Sequence, residues 1–235
     1  MEQGEKRVSL APSAHDIQVP SNDFLAGLIA AEGLSVPPGA EELLIGHARE
    51  VLRWNRSIRL TAITDPKEVA IKHILDSLLL LTFSPFPGRI LDFGSGAGYP
   101  GIPLAIALPG SRVVLLESSG KKCSFLSHAR KSLSLVNVDV VSGRLTARSP
   151  LALGRFEHIV TRATLSAEDA LPLLLPYLAR GGRLLLMTGP GKGKKGGRRP
   201  KGEVPGSRQV ISDRTVGFEL PFATGFRQVR EIRVL

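Results

Sequence analysis

The chain has 235 residues, of which 43% are hydrophobic, and this length suits one domain with an appendage or two small domains. Basic residues number 31 against 21 acidic ones, and the formal net charge of +10 favours a polyanionic partner such as nucleic acid. No apolar run approaches the roughly 20 residues that a membrane span needs, so we expect no membrane anchor. The chain has a single cysteine, Cys123, and we therefore expect a cytoplasmic protein without a metal site.

The first 85 residues predict a mobile leader, 1–20, followed by a helical extension, 21–85. The first helix is expected to begin at Ser21 or Asn22 and the second to run from Pro38 towards Asn55. A third helix is announced by Asp65-Pro66-Lys67-Glu68, in which Asp65 can cap the helix and Glu68 can reach back to the cap amide. It is expected to end before Pro85.

From residue 86 onwards, short apolar strands alternate with helices, which predicts a doubly wound α/β domain with a mostly parallel sheet. Helices are predicted at about 101–108, 120–134 and 167–178. Strands are predicted at 89–93, 112–117, 138–142, 157–161 and 183–187, with two later ones near 208–218 and 226–234.

Residues 189–206 form a basic, low-complexity segment. It contains Lys192, Lys194, Lys195, Arg198 and Arg199. Such a segment cannot bury apolar surface, so a solvated loop is the simplest interpretation. An arm that contacts RNA phosphates is the other.

A glycine-rich loop, Gly94-Ser95-Gly96-Ala97-Gly98, follows the first predicted strand. Open parallel sheets bind ligands at this edge, and Gly94 and Gly96 allow the backbone to approach a ligand closely. The spacing from Gly96 to Gly101 also satisfies the dinucleotide fingerprint. The loop alone therefore leaves open a nicotinamide cofactor and S-adenosylmethionine.

Two carboxylates beside this loop favour an adenosine ligand without pyrophosphate. Asp92 ends the strand before the loop, where it can bind or orient the amino group of a methionine moiety. Glu117 ends the next strand, where a carboxylate can accept hydrogen bonds from both ribose hydroxyls. Pro103, just after Gly101, makes the loop bulkier than a pyrophosphate cradle. We therefore predict a methyltransferase that uses S-adenosylmethionine.

At roughly residues 45–235 the chain resembles one family, the bacterial small-subunit ribosomal RNA guanine-N7 methyltransferases known as glucose-inhibited division protein B or methyltransferase G. The matching blocks are Trp54-Asn55, Leu60-Thr61-Ala62, Asp65-Pro66, His73 to Ser77, Asp92 to Pro103, Leu115 to Ser118, Gly120-Lys121-Lys122, Arg162-Ala163 and Gly181 to Leu184.

The resemblance implies a seven-stranded class I methyltransferase sheet with an N-terminal helical extension. It also implies an enzyme that acts on one guanine of 16S ribosomal RNA, either as free RNA or in the small ribosomal subunit. We expect a monomer. Its cofactor positions correspond to Asp92, Gly94, Gly96, Tyr99, Glu117, Ser119, Leu145, Thr146 and Arg162. Candidate RNA contacts are Asn55, His73, Lys121 and the basic segment. The chain departs from the family at Thr146, where a Glu is usual.

The methyl acceptor is inferred partly from motifs that the sequence lacks. The fourth strand is followed by Thr161-Arg162-Ala163-Thr164 instead of the Asn/Asp-Pro-Pro-aromatic motif of enzymes that methylate exocyclic amines. Cys123 is interpreted as a partly buried helix residue, not as the nucleophile that pyrimidine C5 transfer requires. Guanine N7 needs no general base, so positioning can suffice, with Arg162 orienting the base or the cofactor.

Some interpretations stay open at this point. A small-molecule methyltransferase and a non-catalytic RNA- or nucleotide-binding module are alternatives on the same fold. His73 and Asp76 can share a helix face. They contact the substrate, order the extension against the cofactor domain, or only form a hydrogen bond on the helix surface. Trp54 is either a core residue or a base-stacking residue.

Overall fold

The computed structural model describes residues 17–146, 149–162, 167–189 and 210–235. The predictions for residues 1–16 and for most of the basic segment lie outside these ranges. Ile17 and Val19, which belong to the predicted leader, pack against the main core. Within the described ranges we find neither a helix suited to spanning a bilayer nor a cluster of three metal-ligating side chains.

The N-terminal extension consists of helices and helical turns joined by short loops. Ser21 accepts the amide of Phe24 and caps the first helix, as predicted. A buried stripe from Leu44 to Leu52 faces the core. The elements are α1 Asn22–Ala31, α2 Ala40–Asn55, α3 Pro66–Val69, a π-helical turn Ala70–Leu75, α4 Asp76–Leu78 and a 3₁₀ turn Leu79–Phe83.

The predicted third helix is therefore not one regular α-helix. Asp65 Oδ1 accepts the amide of Glu68 at 2.9 Å, which confirms the predicted cap. The carboxylate of Glu68 bonds Lys72 Nζ, whereas the prediction had it reaching back to the cap amide. The π-helical turn that follows carries His73 and directly precedes Asp76. Single π-helical turns inside helices occur frequently at functional sites.

The second part of the chain forms one seven-stranded sheet in the order β3-β2-β1-β4-β5-β7-β6. The first five strands run parallel, and β7 pairs antiparallel with both β5 and β6. This confirms the predicted mostly parallel sheet. The strands are β1 Arg89–Phe93, β2 Arg112–Glu117, β3 Val138–Ser142, β4 Phe156–Arg162, β5 Leu178–Thr188, β6 Val210–Leu220 and β7 Gly225–Val234; the helices are α5 Gly101–Ala107, α6 Gly120–Ser132 and α7 Ala167–Leu174.

The core has two main parts, one on each face of the sheet. One contains Leu44 of α2, Ile102 of α5 and Phe125 of α6, so the extension packs on the same face as α5 and α6. The other joins α7 to the opposite face of the sheet. Each fully buried leucine or phenylalanine contributes about 2–3 kcal/mol of transfer free energy. This shared apolar packing holds the extension against the edge of the sheet where β1, β2 and β4 end.

Candidate functional site

The glycine loop between β1 and α5 has a left-handed backbone at three positions. The φ angles are +76° at Gly94, +57° at Gly96 and +87° at Gly98. A Cβ on Gly98 would lie 2.6 Å from Ile102 Cδ1 and 3.0 Å from His47 Nε2. Only glycine suits this position, because both the conformation and the space exclude a side chain. The loop therefore lies directly against α2 of the extension.

Asp92 at the end of β1 is fully buried. Its Oδ2 accepts the amide of Gly101 at 3.0 Å, which ties the strand to the start of α5. Its Oδ1 is buried and has no hydrogen-bond partner among the described residues. Burial raises the pKa of Asp92 to about 7, although the bond from Gly101 acts in the opposite direction. A buried carboxyl oxygen without a partner suits a cationic group of a ligand.

Glu117 at the end of β2 is held against the same loop. Its Oε2 accepts the amide of Gly96 at 2.9 Å, and its Oε1 accepts the amide of Ser119 at 2.8 Å. The hydroxyl of Ser118 is a weaker donor at 3.4 Å. A carboxylate offers about four acceptor positions, so Glu117 retains capacity for a ligand hydroxyl.

The segment after β3 lies next to this edge, because Glu117 is in register with Ser142 of β3. Leu145 is buried, and Thr146 Oγ1 accepts the amide of Ser149 at 3.0 Å. The predicted cofactor residues from β1, β2 and the segment after β3 thus belong to adjacent strands. Whether Leu145 and Thr146 contact a cofactor stays a prediction.

Arg162 at the end of β4 reaches across to the extension. Its guanidinium donates to the carbonyl of Lys72 at 3.0 Å, to Asp76 Oδ2 at 3.2 Å and to His73 Nδ1 at 3.3 Å. Asp76 is fully buried, and its Oδ1 accepts from Arg227 Nε at 2.5 Å. The guanidinium groups of Arg162 and Arg227 therefore share the carboxylate of Asp76, and the three side chains together carry a net charge of +1.

Three aromatic rings join the glycine loop to the extension. The ring of Tyr99 lies 4.5 Å from that of His47 and 4.7 Å from that of His73, between centroids. His47 Nε2 donates to the carbonyl of Ala97 at 2.9 Å. Burial lowers the pKa of His47 to about 4 and that of His73 to about 3. Both imidazoles are therefore neutral near pH 7.

The predicted RNA contacts are distributed over different environments. Asn55 Oδ1 accepts the amides of Leu60 and Thr61, and its Nδ2 donates to the carbonyl of Thr61. Lys121 is exposed in the first turn of α6. The five basic residues between 192 and 199 lie outside the described residues. An RNA contact at each of these positions stays a prediction.

Packing bears on two interpretations made from the sequence, those of Trp54 and Cys123. Trp54 is partly buried and meets Phe125 edge-on, with ring centroids 5.8 Å apart, as expected of a core residue. Cys123 is buried, and its thiol donates to the carbonyl of Glu117 at 3.2 Å, in agreement with its interpretation as a helix residue.

Three residues of the site were missed by sequence reasoning: His47, Thr61 and Arg227. His47 stands in the apolar stripe of α2, and this placement is the only signal that marks it. Thr61 is part of a sequence block that resembles the family, but no role was assigned to it. Arg227 lies on β7, and no spacing relates it to Asp76, which is 151 residues away.

Comparisons with known proteins agree with this architecture. The family model GidB, described as rRNA small subunit methyltransferase G, matches residues 40–197. A protein named ribosomal RNA small subunit methyltransferase G from Myxococcus xanthus is 36% identical over 208 residues, covering 88% of this chain and 94% of that protein. One of the same name from Alkalilimnicola ehrlichii is 42% identical over 158 residues, covering 67% and 70%.

A solved structure shares the fold at low sequence identity. It is described as a SAM dependent methyltransferase from Aquifex aeolicus, is 17% identical and superposes with a TM-score of 0.51, covering 73% of this chain and 94% of that one. The family model spans more than half of the chain. The chain therefore belongs to the GidB family, rRNA small subunit methyltransferase G.

Proposed function

We propose that this chain transfers a methyl group from S-adenosylmethionine to N7 of a guanine in 16S ribosomal RNA. The observation that carries the proposal is the meeting of Asp92, the glycine loop, Glu117 and Arg162 at the ends of three adjacent strands, in a chain of the GidB family. The names of the relatives and the charge of +10 support a ribosomal RNA substrate.

The residues at this edge fit the proposed cofactor. Glu117 can accept from the ribose hydroxyls, since only its weakest bond, from Ser118, has to be released. The orphaned Oδ1 of Asp92 gains a partner if it faces an ammonium group. Gly96, where an added Cβ would have no heavy atom closer than 3.8 Å, leaves room for a ligand against the loop. When bound, S-adenosylmethionine supplies an electrophilic methyl group on a positively charged sulfur.

Guanine N7 carries an in-plane lone pair, so the protein does not have to remove a proton from the acceptor. Its task is to orient the base and exclude water. His73 has both ring nitrogens engaged, so it is not placed as a general base. Arg162 is the charged group at the end of β4, and we assign it the orientation of the base or the cofactor.

We further propose that the protein acts in the cytoplasm as a monomer, and that Asn55, Lys121 and the basic segment contact the RNA. Lys121 supports this, because it is exposed at the start of α6, next to the edge that carries Glu117. Light scattering at several protein concentrations tests the oligomeric state, and a mass that doubles with concentration would contradict it.

The decisive experiment is methyl transfer to 16S ribosomal RNA isolated from cells that lack the enzyme, with S-adenosylmethionine labelled in its methyl group. The RNA is then digested to nucleosides and analysed by mass spectrometry. We expect labelled 7-methylguanosine with the parent protein and none with Glu117→Ala. Label on another nucleoside would reject the N7 assignment. Assays on naked RNA and on small subunits identify which form is the substrate.

A further inference from the structure

His73 has no ring atom available for RNA in this structure. It is 6% exposed, and one face of its ring stacks on Tyr99 at an interplanar angle of 15°. Its Nε2 lies 2.8 Å from Thr61 Oγ1, and its Nδ1 lies 3.3 Å from Arg162 Nη2. The imidazole is therefore a link between the extension and the end of β4.

The partners of His73 determine its tautomer. A guanidinium can only donate, so the contact with Arg162 is a hydrogen bond when Nδ1 of His73 is unprotonated. Nε2 then carries the hydrogen and donates to Thr61 Oγ1. That oxygen also accepts the amide of Ile63 at 3.0 Å, and Asn55 holds the amide of Thr61 at 3.0 Å. A chain of hydrogen bonds from α2 thus reaches Nε2 of the ring, and the guanidinium of Arg162 favours the form in which Nδ1 is the acceptor.

Three acceptors of Arg162 belong to the segment 72–76: the carbonyl of Lys72, Nδ1 of His73 and the carboxylate of Asp76. The arginine extends from a strand of the cofactor domain, but its guanidinium is oriented by the extension. The π-helical turn is part of this arrangement, because it carries two of these acceptors and directly precedes the third.

We propose that His73 is a positioning residue, which orients Arg162 for methyl transfer through its unprotonated Nδ1 and makes the helical extension part of the reaction geometry. This deepens the proposed function and rests on it for the reaction concerned. Of the roles that the sequence left open for His73, the proposal selects the ordering of the extension against the cofactor domain instead of direct contact with the RNA.

The proposal is tested with two matched substitutions. Asn at position 73 places an amide oxygen near the site of Nδ1 and can accept from Arg162, whereas Gln places its amide near Nε2 and can donate to Thr61. We expect kcat of His73→Asn to stay within about 10-fold of the parent, and kcat of His73→Gln to fall about 10- to 100-fold, because small errors of position are costly. The melting temperature and the affinity for S-adenosylhomocysteine should be similar in the two variants.

Several outcomes would overturn this role. If kcat fell more in His73→Asn than in His73→Gln, the effect would be assigned to Thr61 and to docking of the extension. Losses that simply follow the melting temperature would make the role structural only. A raised KM for RNA at unchanged kcat would make His73 an RNA contact.

A second measurement does not depend on the variants or on catalysis. Long-range ¹⁵N–¹H spectra of the parent protein report the tautomer of His73 directly, and we expect the Nε2–H form. The Nδ1–H form would overturn the proposal. A parent protein that makes no 7-methylguanosine would reject the proposed function, whereas these spectra would still decide whether Nδ1 can accept from Arg162.

Discussion

Glu117 Oε2 accepts the amide of Gly96 at 2.9 Å, and this bond ties the end of β2 to the glycine loop that follows β1. The two residues are 21 positions apart in the chain but meet at one edge of the sheet, because β1 and β2 are parallel and in register from Arg89 and Arg112. A carboxylate in this place both shapes the loop and presents acceptors to a ligand. The first prediction concerns this carboxylate.

Glu117→Gln should weaken binding of S-adenosylhomocysteine at least about 10-fold, measured by calorimetry. The amide removes the negative charge and replaces one acceptor with a donor, and hydrogen bonds to charged groups contribute about 1.5–3 kcal/mol each. Asp139→Asn is the matched control, since Asp139 is on β3 and pairs with exposed Arg112. An equal affinity of parent and Glu117→Gln would contradict the assignment.

Asp92→Asn should change how stability depends on pH. The pKa of Asp92 is about 7 in the folded protein and about 3.9 in an unfolded chain. Between these values the folded protein keeps a proton that the unfolded chain has lost, so this residue makes stability fall as the pH rises from about 4 to 7. Asn stays neutral and can still accept the amide of Gly101, so the variant should lose this dependence.

Urea unfolding without cofactor at pH 5, 6, 7 and 8 measures the effect. The unfolding free energy of Asp92→Asn relative to the parent should rise over this range by about 2–3 kcal/mol, because about two pH units of the interval between the two pKa values lie above pH 5. S-adenosylhomocysteine affinity should rise with pH between 6 and 8 in the parent and stay flat in the variant. Parallel stability curves would show that Asp92 is not the group responsible.

Asp76→Asn should be more destabilising than Arg227→Met. The first change leaves the guanidinium groups of Arg162 and Arg227 without their buried counter-charge, whereas the second leaves Asp76 paired with Arg162. Removing one partner of a buried ion pair costs about 3–5 kcal/mol when the remaining charge is left uncompensated. Urea unfolding of both variants at pH 7.5 decides this, and a larger loss for Arg227→Met would contradict it.

Arg183→Lys should lower stability without changing kcat. Arg183 is buried and donates to His158 Nδ1, Glu231 and the backbone carbonyls of Phe83 and Pro85. A lysine carries one nitrogen and cannot reach all four, so we expect a loss of about 2–3 kcal/mol in urea unfolding.

Arg233→Lys is the control for this change, because Arg233 is exposed and bonds the same Glu231; it should cost less than about 1 kcal/mol. Arg183 pairs in register with His158, towards the start of β4, and is thus remote from the edge that carries Arg162. A kcat that falls with stability intact would show that this network also serves the reaction.

Deletion of residues 191–201 should reduce the salt dependence of RNA binding. Each lysine or arginine that neutralises a phosphate contributes about 0.7–0.9 to the slope of log affinity against log salt concentration. Filter binding at 50–300 mM salt measures this slope for the parent and the deletion. A variant in which the same residues are replaced by a Gly/Ser linker separates charge from loop length, and an unchanged slope would remove the RNA contact.

The cofactor edge was predictable because it depends on local patterns. The bounds of β1, β2 and β3 agree with the prediction to the residue, since each is a short apolar run between turn residues. Because these bounds were predictable, so were the positions of Asp92 and Glu117 near the carboxyl ends of β1 and β2. The prediction for β5 began at residue 183, whereas the strand begins at Leu178, which pairs with Phe156 across a register shift. Gly181 and Gly182 resemble a turn in sequence but lie within the strand here.

By itself, the sequence determined the seven strands, the glycine loop and the carboxylates at its border, because apolar periodicity and turn residues act over a few positions. Only the tertiary structure decided the surroundings of Arg162. Its partners come from positions 72–76, and the second arginine on Asp76 comes from position 227. Such contacts depend on how the extension packs against the sheet and on a π-helical turn, and no local pattern in the sequence encodes either.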